Sequence, residues 1–459
     1  LENTDFRTDA EFFVKLPNEN PSYRWQKIGD CLVSSQYGVS IEMNEDGDGY
    51  PIYRMNEIGD LLCQEEVSKY ALLQSKDAAP FILKDRDVLF NRTNSQKFVG
   101  RTSLFLEFPG NEQRIFASYL VRLVPDKSKI LPEYLVTFLN TKRGILDVKR
   151  RARISINQSN VNPEEVKAVK IPILSHRLQE EVRKDFSSAH KLFCTAQGLQ
   201  DSATSFLLEL VFLCGWQSPE SLSYSRKFSE ARQDNRLDAE HFLPRYKAML
   251  DHVTKHAEKV CRIGDIASYC ERGTQPEYFE DGELAVVTSK HILEHGLDYD
   301  NFDRTNADYW GRREFLSARI FRNDILTYTT GAKVGRTAAY LSDDRALASN
   351  HVNLIRVEKE NALYVAAVMN SMVGRWQTNM SVSGSAQVEL YPSDIRNFII
   401  PFVPVVAQKK IAEQIVEAHH ARQKAKALLE CAKRAVEIAI EDSEEKALES
   451  LASARGGNA

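Results

Sequence analysis

Arg236-Leu237-Asp238-Ala239-Glu240-His241-Phe242 restates, 229 positions later, the opening Arg7-Thr8-Asp9-Ala10-Glu11-Phe12-Phe13. One echo of seven residues is weak, so its value rests on further matches standing in the same order. Lys27-Ile28-Gly29-Asp30 returns as Arg262-Ile263-Gly264-Asp265, Asp87-Val88-Leu89-Phe90 as Asp324-Ile325-Leu326-Thr327, and Val99-Gly100-Arg101-Thr102 as Val334-Gly335-Arg336-Thr337. Late in each half Gln158, Val161, Pro163, Val166, Ile171-Pro172 and Gln179 match Gln387, Leu390, Pro392, Ile395, Ile400-Pro401 and Gln408. Collinear order at near-constant spacing is the mark of an internal duplication, and it organises everything else in the chain.

Each copy changes its hydrophobic period once, from short apolar runs to helical spacing. Asp87-Val88-Leu89-Phe90 and Asp324-Ile325-Leu326 read as buried strands, as do Val169-Lys170-Ile171-Pro172 and Phe398-Ile399-Ile400-Pro401, each closed by a proline that lacks a ladder donor. After the cap candidate Ser175, apolar residues fall three and four apart from Leu178 through Val182, Phe186, Ala189, Phe193, Ala196, Leu199, Ala203, Phe206 and Leu210 to Leu213. The second seam runs through Ile411, Ile415, Ala418, Ala425, Leu429, Ala432, Val436 and Ala439, with Arg422 its polar interruption. Helices of about 38 to 47 residues span roughly 57 to 70 Å. A rod with one apolar stripe is stable only when that stripe is buried, so the two rods are expected to bury each other as an antiparallel pair.

The expected fold is therefore α+β: two similar mixed α/β domains joined by two long antiparallel helices in a coiled coil, with an internal pseudo-two-fold. The boundaries read as a first domain over 1–174, a first spacer helix over 175–215, a linker over 216–235, a second domain over 236–404, a second spacer helix over 405–451 and a flexible tail over 452–459.

At 459 residues, 43% apolar and 27% charged, the composition is that of a multidomain globular protein. No run approaches the roughly 18 apolar residues of a membrane span, and the first residues are acidic where a signal peptide is basic then apolar, so a cytoplasmic location is expected. Seven cysteines without a C-x-x-C pair indicate neither a zinc site nor a disulfide framework. The net charge of -4 conceals segregation: residues 80–160 carry 15 Lys and Arg against 7 Asp and Glu, whereas residues 1–79 carry 7 against 15.

Taken together and in order, these motifs resemble the specificity subunit of type I restriction-modification enzymes, over essentially the whole chain. The motifs are the Asp-Ala-Glu segments, the Ile-Gly-Asp openings at Ile28 and Ile263, Asp87 to Ser95 with its Val99-Gly100-Arg101 sequel, and Gln158 and Gln387 leading through Ile-Pro to helices opening with Gln179 and Gln408. The resemblance implies a subunit without chemistry of its own, whose two target-recognition domains each read one part of an interrupted sequence in double-stranded DNA. It implies two modification subunits docked on the chain, binding S-adenosylmethionine and methylating adenine, with an ATP- and magnesium-dependent restriction subunit as a further partner. No cofactor or metal is expected on this chain, and the acidic first 79 residues depart from what a DNA surface needs.

Phosphate contacts supply affinity, and side chains reaching base edges supply sequence information. In the first domain Arg92, Asn94, Ser95, Lys97 and Arg101 follow the buried strand, and Arg150, Arg151 and Arg153 precede Ser155, Asn157 and Gln158. In the second the matching positions offer Tyr328, Thr329, Thr330, Lys333 and Arg336, then Ser383, Ser385 and Gln387. Arginine suits guanine, asparagine suits adenine, and lysine and serine suit phosphates. Asp9, Glu11, Asp238 and Glu240 are read as bracing residues, because DNA repels carboxylates.

Three rival readings fit parts of the chain. A structural coiled-coil repeat protein without DNA specificity accounts for the same rods. A metal-dependent nuclease would use Asp126, Glu165 and Lys167. An adenine methyltransferase would use Asn20-Pro21-Ser22-Tyr23, but too few residues precede that motif for a cofactor-binding sheet. Gly331 to Thr337 is one residue short of a nucleotide-binding loop, with Arg336 where lysine belongs. His419 and His420, adjacent on a helix, point about 100° apart and are read as solvent-facing.

Overall fold

A computed structural model describes residues 10–13, 18–59, 61–110, 112–155, 158–219, 223–382 and 388–456. It divides into two compact units, one formed by 1–194 with 421–459 and the other by 195–420.

In the first unit the main sheet runs Leu32–Tyr37, Leu120–Pro125, Val88–Asn91, Thr102–Leu104, Leu61–Leu62, antiparallel except for the last pair. Val88–Asn91 is central and its side chains are buried on both faces, which is why it reads as a continuous apolar run. Strand alternation sends Val88 and Phe90 into the core shared with the helices, and Leu89 into a second core with Phe105 and Phe116. The helix Pro132–Leu139 starts with a proline at its first turn and is buried along its whole length. A second helix, Lys142–Arg151, comes after Thr141, whose Oγ1 accepts from the Gly144 amide. Trp25–Lys27 pairs with Lys170–Pro172.

The second unit repeats this frame. Its sheet runs Ala267–Arg272, Val352–Val357, Ile325–Tyr328, Thr337–Ala339, and Lys259–Arg262 pairs with Ile399–Phe402. Ala362–Asn370 and Met372–Ser381 stand where the first unit has its helix pair. The likeness extends to single bonds. Tyr134 Oη donates to the Pro172 carbonyl at 2.5 Å, and Tyr364 Oη to that of Pro401 at 2.5 Å. Asp87 pairs with Arg122 at 3.2 Å and Asp324 with Arg356 at 2.7 Å, each tying two neighbouring strands of the sheet. Gln179 Nε2 donates to the Leu174 carbonyl, and Gln408 Nε2 to that of Val403. The inserts differ: Tyr50–Tyr53, Tyr70–Ala71 and Ile115–Phe116 form a small sheet in the first unit, and Leu284–Val287, Asp303–Thr305, Arg319–Ile320 and Ala346–Ala348 form another in the second.

Two long helices, His176–Leu210 and Val405–Glu441, carry the seams read from the sequence. In the first unit Leu178, Val182, Phe186 and Ala189 share a core with Ala425, Leu429, Ala432, Val436 and Ala439. In the second, Ala203 and Leu207 meet Ile411, the Gln414 amide donates to Ser202 at 3.0 Å and Lys410 lies over the Phe206 ring, which makes the pair antiparallel there. Ser175 caps the first rod, its Oγ accepting from the Leu178 amide. No helix among the described residues is long and apolar enough to cross a membrane.

Four details differ from the sequence reading. The first rod ends at Leu210, five residues early, in a turn where Phe212 and Gly215 take positive φ. The expected linker contains a helix, Phe228–Asp234, closed by left-handed Asn235. The second rod stops at Glu441 and a separate helix, Glu444–Gly456, succeeds it and takes in 452–456 of the expected tail, although Ala447 and Leu451 continue the apolar spacing. Asn20 Nδ2 donates to the Ile440 and Asp442 carbonyls at that break, and Glu444 turns its carboxylate to the Ser175 amide and hydroxyl. Pro401 does not close its strand: register continues to Phe402 against Lys259.

Candidate nucleic-acid interface

The loop after the central strand has the same closure in both units. The Asn91 amide donates to the Arg101 carbonyl and the Gly100 amide to that of Asn91; Tyr328, Arg336 and Gly335 repeat the pattern at 2.8 Å. The glycines are required: Gly100 has φ +88 with Val148 only 2.6 Å from where a Cβ would stand, and Gly335 has φ +87 with Thr378 at 2.6 Å.

In the first unit this loop is joined to the second predicted cluster. Thr93–Asn94 pairs with Gln158–Asn160, which pairs with Arg153–Ser155, so a three-stranded sheet gathers Asn94, Arg153 and Gln158. Ser95, Lys97, Arg153 and Gln158 are exposed, and Arg92, Asn94 and Arg101 half-buried. Arg92 lies over the Tyr37 ring at 4.9 Å and donates to Ser118 O and Asn160 Oδ1, both at 3.4 Å. Lys97 and Arg101 flank the exposed Phe98 ring at 5.5 and 4.9 Å. The basic run is split by its helix. Arg151 is buried against Asp147 at 2.9 Å and Glu165 at 3.2 Å, and Arg150 binds Asp147 at 2.6 Å and the Phe12 carbonyl at 2.8 Å. Asn157 lies outside the described residues, as does the side chain of Ser155.

In the second unit Thr329 is buried, its hydroxyl donating to the His351 carbonyl at 2.9 Å. Tyr328 and Thr330 are half-buried and Lys333 is exposed, while Arg336 is held by Glu294 at 3.0 Å. Thr330 bridges to Glu389, so the same two segments meet as in the first unit. Ser383, Ser385 and Gln387 lie outside the described residues.

Sequence reading missed Tyr37, Asn160, Arg272, Glu389 and Tyr391. Arg272 pairs with Glu389 at 2.6 Å and lies over the Tyr391 ring at 5.2 Å, and Tyr391 Oη donates to Glu389 at 2.8 Å. Arg272 first and Tyr391 next hold the Glu389 carboxyl below its ordinary value. The one available signal was alignment of the two copies, which sets Asn160 against Glu389.

The bracing role fits Asp238 and Glu240. Arg236 holds the Asp238 carboxyl down to about 2, and Asp238 also accepts from the His241 amide at 3.3 Å. Glu240 accepts from Tyr246 Oη at 2.6 Å. Asp9 lies outside the described residues, as does the Glu11 side chain. Asp126 binds Ser128 in its own turn and Glu165 binds Arg151. Among the described residues no three His, Cys, Asp or Glu gather as metal ligands. His420 is exposed as expected, but His419 is half-buried against Tyr299, ring centroids 5.2 Å apart.

Comparison with known proteins leads in the same direction. Residues 257–423 match the family model of the type I restriction modification DNA specificity domain. The type I restriction enzyme MjaX specificity subunit of Methanocaldococcus jannaschii is 28% identical over 173 residues, 37% of this chain and 40% of that protein. The StySPI specificity subunit of Salmonella potsdam is 22% identical over 196 residues, 42% of this chain and 41% of that protein. The chain thus spans about two-fifths of the length of these curated relatives. Among solved structures, the type I restriction-modification S subunit from M. genitalium aligns over 95% of this chain and 98% of its own, with 11% identity and TM-score 0.37. The HsdS subunit from Thermoanaerobacter tengcongensis aligns over 94% and 98%, with 12% identity and TM-score 0.29. Residues 257–423 are thus similar to the DNA specificity domain of type I restriction-modification systems, and the resemblance to their specificity subunits read from the repeated motifs holds.

Proposed function

We propose that this chain is a non-catalytic DNA-reading subunit whose two units each read one half of an interrupted duplex target. The observation that carries the reading is one frame built twice, with identical internal bonds, bearing unlike side chains at its tips. Shared bonds such as Tyr134 to Pro172 and Tyr364 to Pro401 fix the scaffold. The exposed residues differ: Ser95, Lys97, Arg153 and Gln158 on one, Lys333 on the other, with Thr330 half-buried beside it. A purely structural repeat has no reason to keep the frame that carries the tips and change the side chains on them.

Within the first tip, Lys97 and Arg153 are assigned to phosphates and Arg92, Asn94 and Gln158 to base edges, with Ser95 and Arg101 flanking them. Arg150 and Arg151 are assigned to bracing, because their charge is engaged by Asp147 and Glu165. In the second tip Tyr328, Thr330, Lys333 and Arg336 are the contacts and Thr329 is a brace. The rods serve as spacer and as docking surface for two modification subunits, which bring S-adenosylmethionine and methylate adenine; a restriction subunit brings ATP chemistry where one exists.

The test is adenine-methylation mapping in cells with and without this gene, together with the modification subunit. A split motif that depends on the gene supports the reading, and its absence refutes it. Adding one heptad to both rods should change the tolerated gap between half-sites; an unchanged gap removes the spacer role.

A further inference from the structure

Superposing the two frames by their hydrogen bonds aligns three positions. The Arg92 amide donates to Tyr119 O while Val161 N donates to Arg92 O; Thr329 likewise donates to His351 O and receives Leu390 N. Arg92 and Thr329 are therefore the same position. Tyr37 faces Val121 and Arg272 faces Asn353 at the same step of the neighbouring strand pair, and Asn160 and Glu389 immediately precede the residues that close the tip. Both tips hold one arginine beside one tyrosine, but its place and its partner have been exchanged.

In the first unit the arginine stands on the loop, and its contacts to Ser118 and Asn160 are both 3.4 Å, at the weak end for a hydrogen bond. Asn160 uses its amide nitrogen on Thr93 Oγ1 at 2.8 Å, which fixes its oxygen toward Arg92. Such a guanidinium is oriented but lightly held. In the second unit the arginine stands on the strand and is clamped, with Glu389 at 2.6 Å and the Leu390 carbonyl at 3.0 Å. The half-exposed group left at the tip is the Glu389 carboxylate, steadied by Tyr391.

We propose that the two tips read opposite hydrogen-bond polarities from neighbouring positions of the shared frame: Arg92 donates to the O6 and N7 acceptors of a guanine in one half-site, and Glu389, at the place Asn160 holds in the first unit, accepts from the amino group of a cytosine in the other. The inference rests on the DNA-reading function above. Bidentate arginine to guanine and carboxylate to the cytosine N4 amino group are the pairings that major-groove geometry allows these side chains. Arg272 acts as a positioning residue: it neutralises Glu389 against the phosphates and aims it, without touching a base. Asn160 aims Arg92 through its amide oxygen, without neutralising it.

The experiment maps methylated motifs made by the full chain assembled with its modification subunits, comparing wild type with Arg92→Ala, Arg92→Lys and Glu389→Gln, and measures duplex affinity of each complex against salt. Arg92→Ala should make one guanine of one half-site degenerate, with relative rates at the wrong bases rising on the order of ten- to a hundredfold, and leave the other half-site unchanged. Arg92→Lys, which keeps the charge and loses the planar fork, should keep the affinity and lose the discrimination. Glu389→Gln should relax one cytosine of the other half-site. Intact motifs in Arg92→Ala and Glu389→Gln, or relaxation at a base other than these, overturns the inference while the DNA-reading function stands. Absence of any motif with the wild-type complex overturns both.

Discussion

Arg151 and Arg153 are two residues apart and carry the same charge, yet one is buried in ion pairs and the other exposed, and alanine at each should separate bracing from the proposed contact. Arg151 has a side chain 7% exposed between Asp147 at 6% and Glu165 at 19%. Removing one partner of a buried ion pair costs ~3–5 kcal/mol. Asp147 keeps Arg150, which argues for the lower end, about 3 kcal/mol. At ~2–4 °C per kcal/mol for a unit of this size, Arg151→Ala should lower the melting temperature by about 6–12 °C. Arg153 is exposed at the edge of the tip sheet, so Arg153→Ala should change stability by less than ~0.5 kcal/mol. It should instead lower the slope of log K against log salt by about 0.9, the loss of one phosphate contact. Scanning calorimetry and fluorescence anisotropy on duplex DNA, both with the assembled methyltransferase, give the two readouts. A normal melting temperature with a reduced salt slope for Arg151→Ala would refute the assignment of roles.

Three further outcomes are set by the fold. Tyr134→Phe and Tyr364→Phe each leave a buried proline carbonyl without its hydroxyl and should each cost ~1–3 kcal/mol in chemical denaturation, with similar values expected because the bond is duplicated. Gly374→Ala would place a Cβ 2.0 Å from the Met369 carbonyl oxygen, so the two helices must part; a loss of ~1–3 kcal/mol is expected in thermal melts, and a neutral outcome would show that this approach is not needed. Burial holds the His291 imidazole down to about 4 from 6.5. Its contribution is therefore complete above about pH 6.5 and lost as pH falls toward 4, about 3 kcal/mol in all. Urea melts across that window should show the slope, and His291→Gln should flatten it.

Much of the scaffold was legible because burial writes itself into period. Val88 to Phe90 read as a strand and Leu178 to Ala189 as a seam since each is apolar wherever it meets the core. The break after Glu441 was not legible, because Ala447 and Leu451 keep the helical spacing and the carbonyls freed there are met by Asn20, some 420 positions away. The tips were legible only as lists of suitable residue types. Arg150, Arg151 and Arg153 read as one basic patch, whereas Arg151 is buried on its helix, Arg150 half-buried beside it and Arg153, beyond the helix end, exposed. Arg272 was passed over because its carboxylate lies 117 positions onward, and Asn160 because its partner Arg92 lies 68 positions back. Pairings of that length are set by strand register, which no local pattern records.

The division of the chain also sets the order in which its two cores can close. One unit is a single uninterrupted stretch, 195–420, and can complete its core soon after that stretch leaves the ribosome. The other draws on segments before and after it: Leu178 and Phe186 wait for Leu429, Val436 and Leu451 to arrive. While 195–420 is being made, the earlier segment must persist with an apolar flank uncovered, which makes it the part that a chaperone would hold and the part that a premature stop would abandon.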